Sequence, residues 1–254
     1  MRLVVVGGSG TVGRYVVEAG RDRGHQVVVA SRATGVDVVS GAGLDAAVAG
    51  ADAVIDAGNI EALRRDRATA YFTGAVGRIH DAGWRAGVGR LVVLSIVGVD
   101  RVPGFGYYEA KVAHEEAALA GPLPTAVLRA TQFHELAGQL VRRTRRGPVA
   151  VVPRMRTQPV AARTVGRALV DLAEGDATGL AGELGGPEVA DTVDLARRLV
   201  ARLGWPVRVL PVPSAGAGSR AMRSGALLPG EGARLEGPTF DEWLGGTDPD
   251  ALAG

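Results

Sequence analysis

The chain has 254 residues, 46% of them hydrophobic and 22% charged, with 38 glycines and a net charge of only +2. Near-neutral charge and 4% aromatics exclude a nucleic-acid binder, which needs a basic face and stacking rings. The absence of cysteine excludes disulfides, thiolate metal sites and a cysteine nucleophile.

Leu3–Val6 is a β-branched run that stops at Gly7-Gly8, and Thr11–Ala19 then carries apolar residues at helical spacing. This predicts strand, glycine turn, helix. A second strand follows over Gln26–Ala30, a short third over Val36–Val39, a short helix over Leu44–Ala49, and a fourth strand over Ala53–Ile55, ending at Asp56-Ala57-Gly58-Asn59. Ile60–Ala86 predicts a long helix, Arg90–Ile96 the strongest strand, Tyr108–Ala120 a helix and Thr125–Leu128 a sixth strand. Short apolar strands alternating with helices predict an α/β fold, a doubly wound parallel sheet with ligands at the carboxyl ends of its strands. The organisation changes near residue 130. Helices are expected over Phe133–Thr144, Ala161–Ala173 and Thr192–Leu203, the last capped by Asp191, with strands over Val149–Val152 and Val207–Val212. Ser214–Ala233 predicts a loop or weak helix and Phe240–Leu244 a short docking helix. We expect a Rossmann domain over 1–148 and a smaller carboxy-terminal substrate or lid region over 149–254, interleaved with the core.

Three motifs carry chemistry. In Gly7-Gly8-Ser9-Gly10-Thr11-Val12-Gly13 the glycines at 7, 10 and 13 follow a strand and open a helix. That context lets backbone approach a pyrophosphate at a helix N-terminus, so Gly7, Ser9, Gly10, Thr11, Val12 and Gly13 are expected to hold a dinucleotide. The second strand ends in Ser31-Arg32, where a site for NAD would carry an acid. The fork of Arg32 suits a 2′-phosphate, so the expected cofactor is NADP(H). Ala57, Gly58 and Asn59, after the fourth strand, are further cofactor candidates.

The third motif is Tyr107-Tyr108-Glu109-Ala110-Lys111, with Ser95 at the end of the fifth strand. Tyr107 and Lys111 lie four apart and share a helical face. A nearby ammonium lowers a phenol's pKa, and such a tyrosine can protonate a carbonyl as hydride arrives, with Ser95 bonding the same oxygen. Of 29 positive residues 28 are arginine, so Lys111 is the solitary lysine. Only lysine supplies a compact, tunable ammonium.

The same stretches resemble the short-chain dehydrogenase/reductase superfamily, and most of all its atypical, NmrA-like branch. The resemblance rests on the 7-10-13 glycines, on Leu94–Val99 followed by Gly106–Lys111, and on Leu128–Glu135. It implies a bound NADP, with Lys111 also holding the ribose, and it implies that Gln132, Phe133 and His134 line the substrate cleft. An NADPH-dependent oxidoreductase acting on a small carbonyl or quinone is the expected function. The alternatives are a cofactor-sensing regulatory protein and a non-redox epimerase, dehydratase or cyclase.

The histidines His25, His80, His114 and His134 show no His-x-x-x-His pairing, so no metal is expected. No apolar run approaches the roughly 18 residues of a membrane span, and the opening MRLVVVGGSG is too short in apolar residues for a secretory signal. The expectation is a cytoplasmic monomer or homodimer with a small-molecule substrate and no nucleic-acid or membrane partner.

Overall fold

The structure is a computed structural model, and it describes residues 1–60, 64–212 and 215–246. In chain order it contains β1 (Arg2–Val6), α1 (Gly13–Asp22), β2 (Gln26–Ala30), α2 (Leu44–Val48), β3 (Ala53–Asp56), α3 (Arg65–Ala86), β4 (Arg90–Ile96), α4 (Gly106–Ala120) and β5 (Thr125–Ala130). There follow α5 (Leu136–Thr144), β6 (Val149–Pro153), β7 (Arg156–Thr157), α6 (Ala162–Glu174), β8 (Gly179–Gly185), β9 (Ala190–Asp191), α7 (Thr192–Arg202), β10 (Arg208–Val212), α8 (Ala217–Ser224), β11 (Arg234–Leu235) and α9 (Phe240–Gly246).

The central sheet is seven-stranded and parallel, in the order β2-β1-β3-β4-β5-β8-β11. Strands β1, β3 and β4 are buried along both faces, which is why they read as unbroken apolar runs. Val4, Val6, Val54, Leu91, Val93 and Val127 turn to one face and pack on Val48 of α2, Val76 and Ile79 of α3 and Ala118 of α4. Across the sheet α6 lies close to α1: a side chain on Gly166 would come within 2.7 Å of the Tyr15 backbone. The order reverses at β1, with β2 on one side and β3 on the other, and crevices for ligands form at such a reversal.

Two compact units result. One comprises Met1–Asp100, Phe105–Ala130 and Arg163–Gly182; the other comprises Arg101–Gly104, Thr131–Ala162 and the chain from Glu183 onward. Most of α6, although it follows residue 148, belongs to the first unit. In the second unit β10 pairs parallel with β6, and Val141, Val152, Val193 and Val209 form an apolar cluster. Asp191 caps α7 as expected, its carboxylate accepting from the Val193 N–H at 2.9 Å.

One expectation changes and one strand is added. Val36–Val39 is not a strand: Val36 and Val38 are buried, but the Asp37 carboxylate accepts from the Val39 N–H at 2.9 Å and curls the backbone into a turn. Gly179–Gly185, with three glycines and no β-branched residue, is a strand of the main sheet that its composition conceals. Within the stretch expected as a loop or weak helix, Ala217–Ser224 is helix α8. The expected start of the long helix includes residues 61–63, which lie outside the described chain. No helix among the described residues is long and apolar enough to cross a membrane.

Candidate active site

The glycine turn is built by contact. Gly7 has a φ of +70°, and an added Cβ would stand 2.9 Å from Ala57 O and from Gly58 Cα. A Cβ on Gly13 would stand 2.1 Å from Gly7 O, so α1 seats on β1 only with glycine there. A Cβ on Gly10 would meet nothing but Gly7 O, at 3.2 Å, which leaves its other side open. Ser9 and Gly10 are exposed, and no side chain caps α1 at Val12. Gly7 N–H donates to Ala30 O at 2.9 Å, which brings the end of β2, with Ser31 and Arg32, to the turn. Ala57 N–H donates to Val6 O at 3.1 Å. The structure thus brings together the turn, Ser31 and Ala57-Gly58 at the carboxyl ends of β1, β2 and β3. Arg32 is exposed and opens a 3₁₀ turn, Arg32–Thr34. This cradle fits a diphosphate: it offers open backbone at a helix start and no acid within the turn.

The phenol of Tyr107 donates to Asn59 Oδ1 at 2.8 Å. Its ring packs edge-on to Phe72, with centroids 5.9 Å apart. Burial pushes the Tyr107 pKa up to about 12 although the Asn59 bond opposes the shift. The expected depression of the phenol by Lys111 is absent, because the lysine is engaged elsewhere. Lys111, 4% exposed, donates to Leu94 O at 2.8 Å and to His114 Nδ1 at 2.9 Å, and its ammonium lies 4.7 Å from the Phe72 ring centre. Burial brings its pKa down to about 8, with Asp56 and Glu115 pulling upward.

His114 and Asp56 were not legible as site residues. An ammonium can only donate, so Nδ1 of His114 accepts and the ring proton sits on Nε2. From there it bonds Asp56 Oδ2 at 3.2 Å. The other Asp56 oxygen accepts from the Gly58 N–H at 2.8 Å. Burial raises the Asp56 pKa, but the hydrogen bond and field of His114, the Gly58 N–H and Lys111 together hold it below the ordinary value. Burial and the Lys111 charge lower that of His114. Each residue looks unremarkable in sequence: Asp56 ends a strand, and His114 lies 58 positions away on a helix.

Ser95, at the end of β4, is 2% exposed, and its Oγ has no hydrogen-bond partner. An orphaned hydroxyl there suits a group that arrives with a ligand. In the second unit the Gln132 side chain accepts from the Thr157 hydroxyl, and Gln132 and Phe133 line a small hollow with Leu136 and Thr192. His134 does not face that hollow. It is 1% exposed, bonded through Nε2 to Pro238 O at 3.1 Å, and wedged against Phe240 and Trp243 with ring centres 5.4 and 5.3 Å away. The ring is held by this packing, and its Nδ1 is buried without a hydrogen-bond partner.

No protein-family model matches the chain, and no curated protein matches it. Solved structures do. MoeE5 in complex with UDP-glucose and NAD is 21% identical, with a TM-score of 0.73 over 96% of each chain. A short-chain dehydrogenase/reductase superfamily protein from Agrobacterium tumefaciens with bound NAD is 24% identical, with a TM-score of 0.68 over 100% of this chain and 96% of that one. The dTDP-4-dehydrorhamnose reductase from Bacillus anthracis in complex with NADP is 14% identical, with a TM-score of 0.70 over 96% and 95%. With its reversal at β1, its glycine turn and its full-length match to these structures, the chain has the fold of the short-chain dehydrogenase/reductase superfamily.

Proposed function

We propose that this protein is an NADPH-dependent oxidoreductase that reduces a small carbonyl or quinone-type compound, and that it stands nearest the NmrA-like branch. The observation that supports the reading best is the meeting of the open glycine turn with Ala57-Gly58 at the sheet reversal. Gly7, Ser9, Gly10, Thr11, Val12 and Gly13 would hold the diphosphate, with Ala57, Gly58 and Asn59 beside it. Ser31 and Arg32 would receive the adenosine end and its 2′-phosphate. When bound, the dihydronicotinamide supplies a hydride.

The chain's own part is to manage a proton. With a pKa of about 12, Tyr107 is a neutral phenol across the physiological range. It therefore carries the proton that a developing alkoxide would take up. To deliver that proton the hydroxyl must turn from Asn59 Oδ1, which holds it in the unliganded site. Ser95 supplies a second hydrogen bond to the same substrate oxygen. Lys111 places a positive charge beside the end of β4, where negative charge develops. Gln132 and Phe133 in the second unit are assigned to substrate selection.

Titration of the protein with NADPH and NADH, followed by a carbonyl and quinone panel, tests this reading. Binding of NADPH with turnover supports it; no uptake of either nucleotide removes it. A second reading has support of its own: Tyr107 and Lys111 bond to different partners, as suits a cofactor-sensing protein without chemistry. Tight NADPH binding with no oxidation on any substrate favours that reading. Epimerisation without net redox change would appear as nucleotide-sugar turnover at constant NADPH absorbance.

A further inference from the structure

Among the described residues, the hydrogen bonds of the solitary lysine reach a carboxylate through an imidazole. They run to the Leu94 carbonyl and the His114 ring, and the nearest carboxylate along that path, Asp56, lies on the far side of the ring. All three side chains are buried, at 4%, 1% and 4% exposure. The other groups around them are accounted for. Glu115, the next acid on α4, is held by Arg129 of β5 at 2.9 and 2.6 Å. From α3 come Phe72, stacked on the His114 ring at 5.0 Å and 28°, and Tyr71, whose phenol pKa is raised by burial and by the Asp56 charge. From β4 it is the Leu94 carbonyl. An isolated ammonium in such surroundings would lose its proton to escape desolvation.

We propose that His114, oriented by Asp56, is a positioning residue that holds the Lys111 ammonium in place and takes up its proton, making Asp56–His114–Lys111 a buried proton-carrying chain behind the active site. The transfer balances. One proton passes from Nζ to Nδ1, leaving a neutral amine and an imidazolium paired with the Asp56 carboxylate, and no charge leaves the cluster. Arginine, which takes every other basic position, cannot serve here because it does not deprotonate. The purpose of the chain, to set how much charge Lys111 presents beside the end of β4, rests on the reductase reading. Its existence does not.

The test uses the full chain labelled with ¹⁵N at lysine and histidine. With one lysine present, a single side-chain ammonium signal reports Lys111 directly. We expect the His114 ring to carry its proton on Nε2 with Nδ1 bare, and Lys111 to titrate at about 8. His114→Gln keeps a donor toward Asp56 but removes the acceptor at Nδ1, and should lower the Lys111 midpoint further, by about one to two pH units. His114→Asn returns an acceptor oxygen near the Nδ1 position and should restore most of that shift. A proton on Nδ1 in the unaltered protein overturns the proposal, as does an unmoved midpoint in a folded His114→Gln. Should the variants not fold, the tautomer of the unaltered protein decides alone. A correct tautomer and shift in a protein that takes up no NADPH would refute the reductase reading and leave the chain intact.

Discussion

Tyr107 on α4 gives its phenolic proton to Asn59, which follows β3, across 2.8 Å. The bond ties the helix to the loop that also backs the glycine turn, so the proton donor and the diphosphate cradle share one support. It also opposes the burial that raises the phenol's pKa. Tyr107→Phe should therefore cut turnover by about 10²- to 10⁴-fold with NADPH affinity changed less than about twofold, measured by steady-state kinetics and fluorescence titration. Equal turnover would remove Tyr107 from the chemistry.

Arg32 is exposed at the end of β2, where no acid stands in its place. Arg32→Ala should weaken NADPH binding by about tenfold or more, the cost of one charge-assisted bond, and leave NADH binding unchanged. Parallel titrations with both nucleotides check this. An equal loss for both would assign Arg32 to the adenosine and not to the 2′-phosphate.

The glycines of the turn should separate folding from binding. Gly13→Ala puts a Cβ 2.1 Å from Gly7 O, a backbone atom that cannot step aside, and should destabilise the fold by about 1–3 kcal/mol. Gly10→Ala meets only one atom, at 3.2 Å, and should fold normally while losing dinucleotide affinity. Urea unfolding and nucleotide titration on both variants distinguish the two effects.

The Arg129–Glu115 pair is largely buried, with side chains 15% and 6% exposed. Glu115→Ala leaves the guanidinium short of its main partner, Asp100 at 3.2 Å being the remaining one. The loss should be about 3 kcal/mol by urea unfolding. A change below about 1 kcal/mol would mean that Asp100 or water substitutes for Glu115.

Burial takes the His134 pKa down to about 4, with the Pro238 bond opposing and Arg198 assisting. The unfolded chain binds this proton near pH 6.5, where the folded one does not. Stability from this group is therefore complete above about pH 6.5 and is lost as the pH falls toward 4, by up to about 3 kcal/mol. His134→Phe should flatten that part of the stability profile. An unchanged slope would show that the ring is not buried in solution.

The sequence by itself determined β1 to β5, because each carries a short, mostly apolar run between helical stretches, as strands of a covered parallel sheet do. It determined the glycine turn too, since helix seating at Gly13 tolerates no side chain. Only the tertiary structure decided the rest. The alternation over Val36–Val39 reported burial truthfully, yet Asp37 closed a turn with its own backbone before a strand could pair. Strand β8 pairs through its main chain, and backbone hydrogen bonding leaves little mark on side-chain composition. The four-residue spacing set Tyr107 and Lys111 on one helical face, but not where a long flexible side chain would end. That was settled by His114 on the next turn and by Asp56, 58 residues away, because a buried ammonium must find partners and chain distance says nothing about which ones the fold provides.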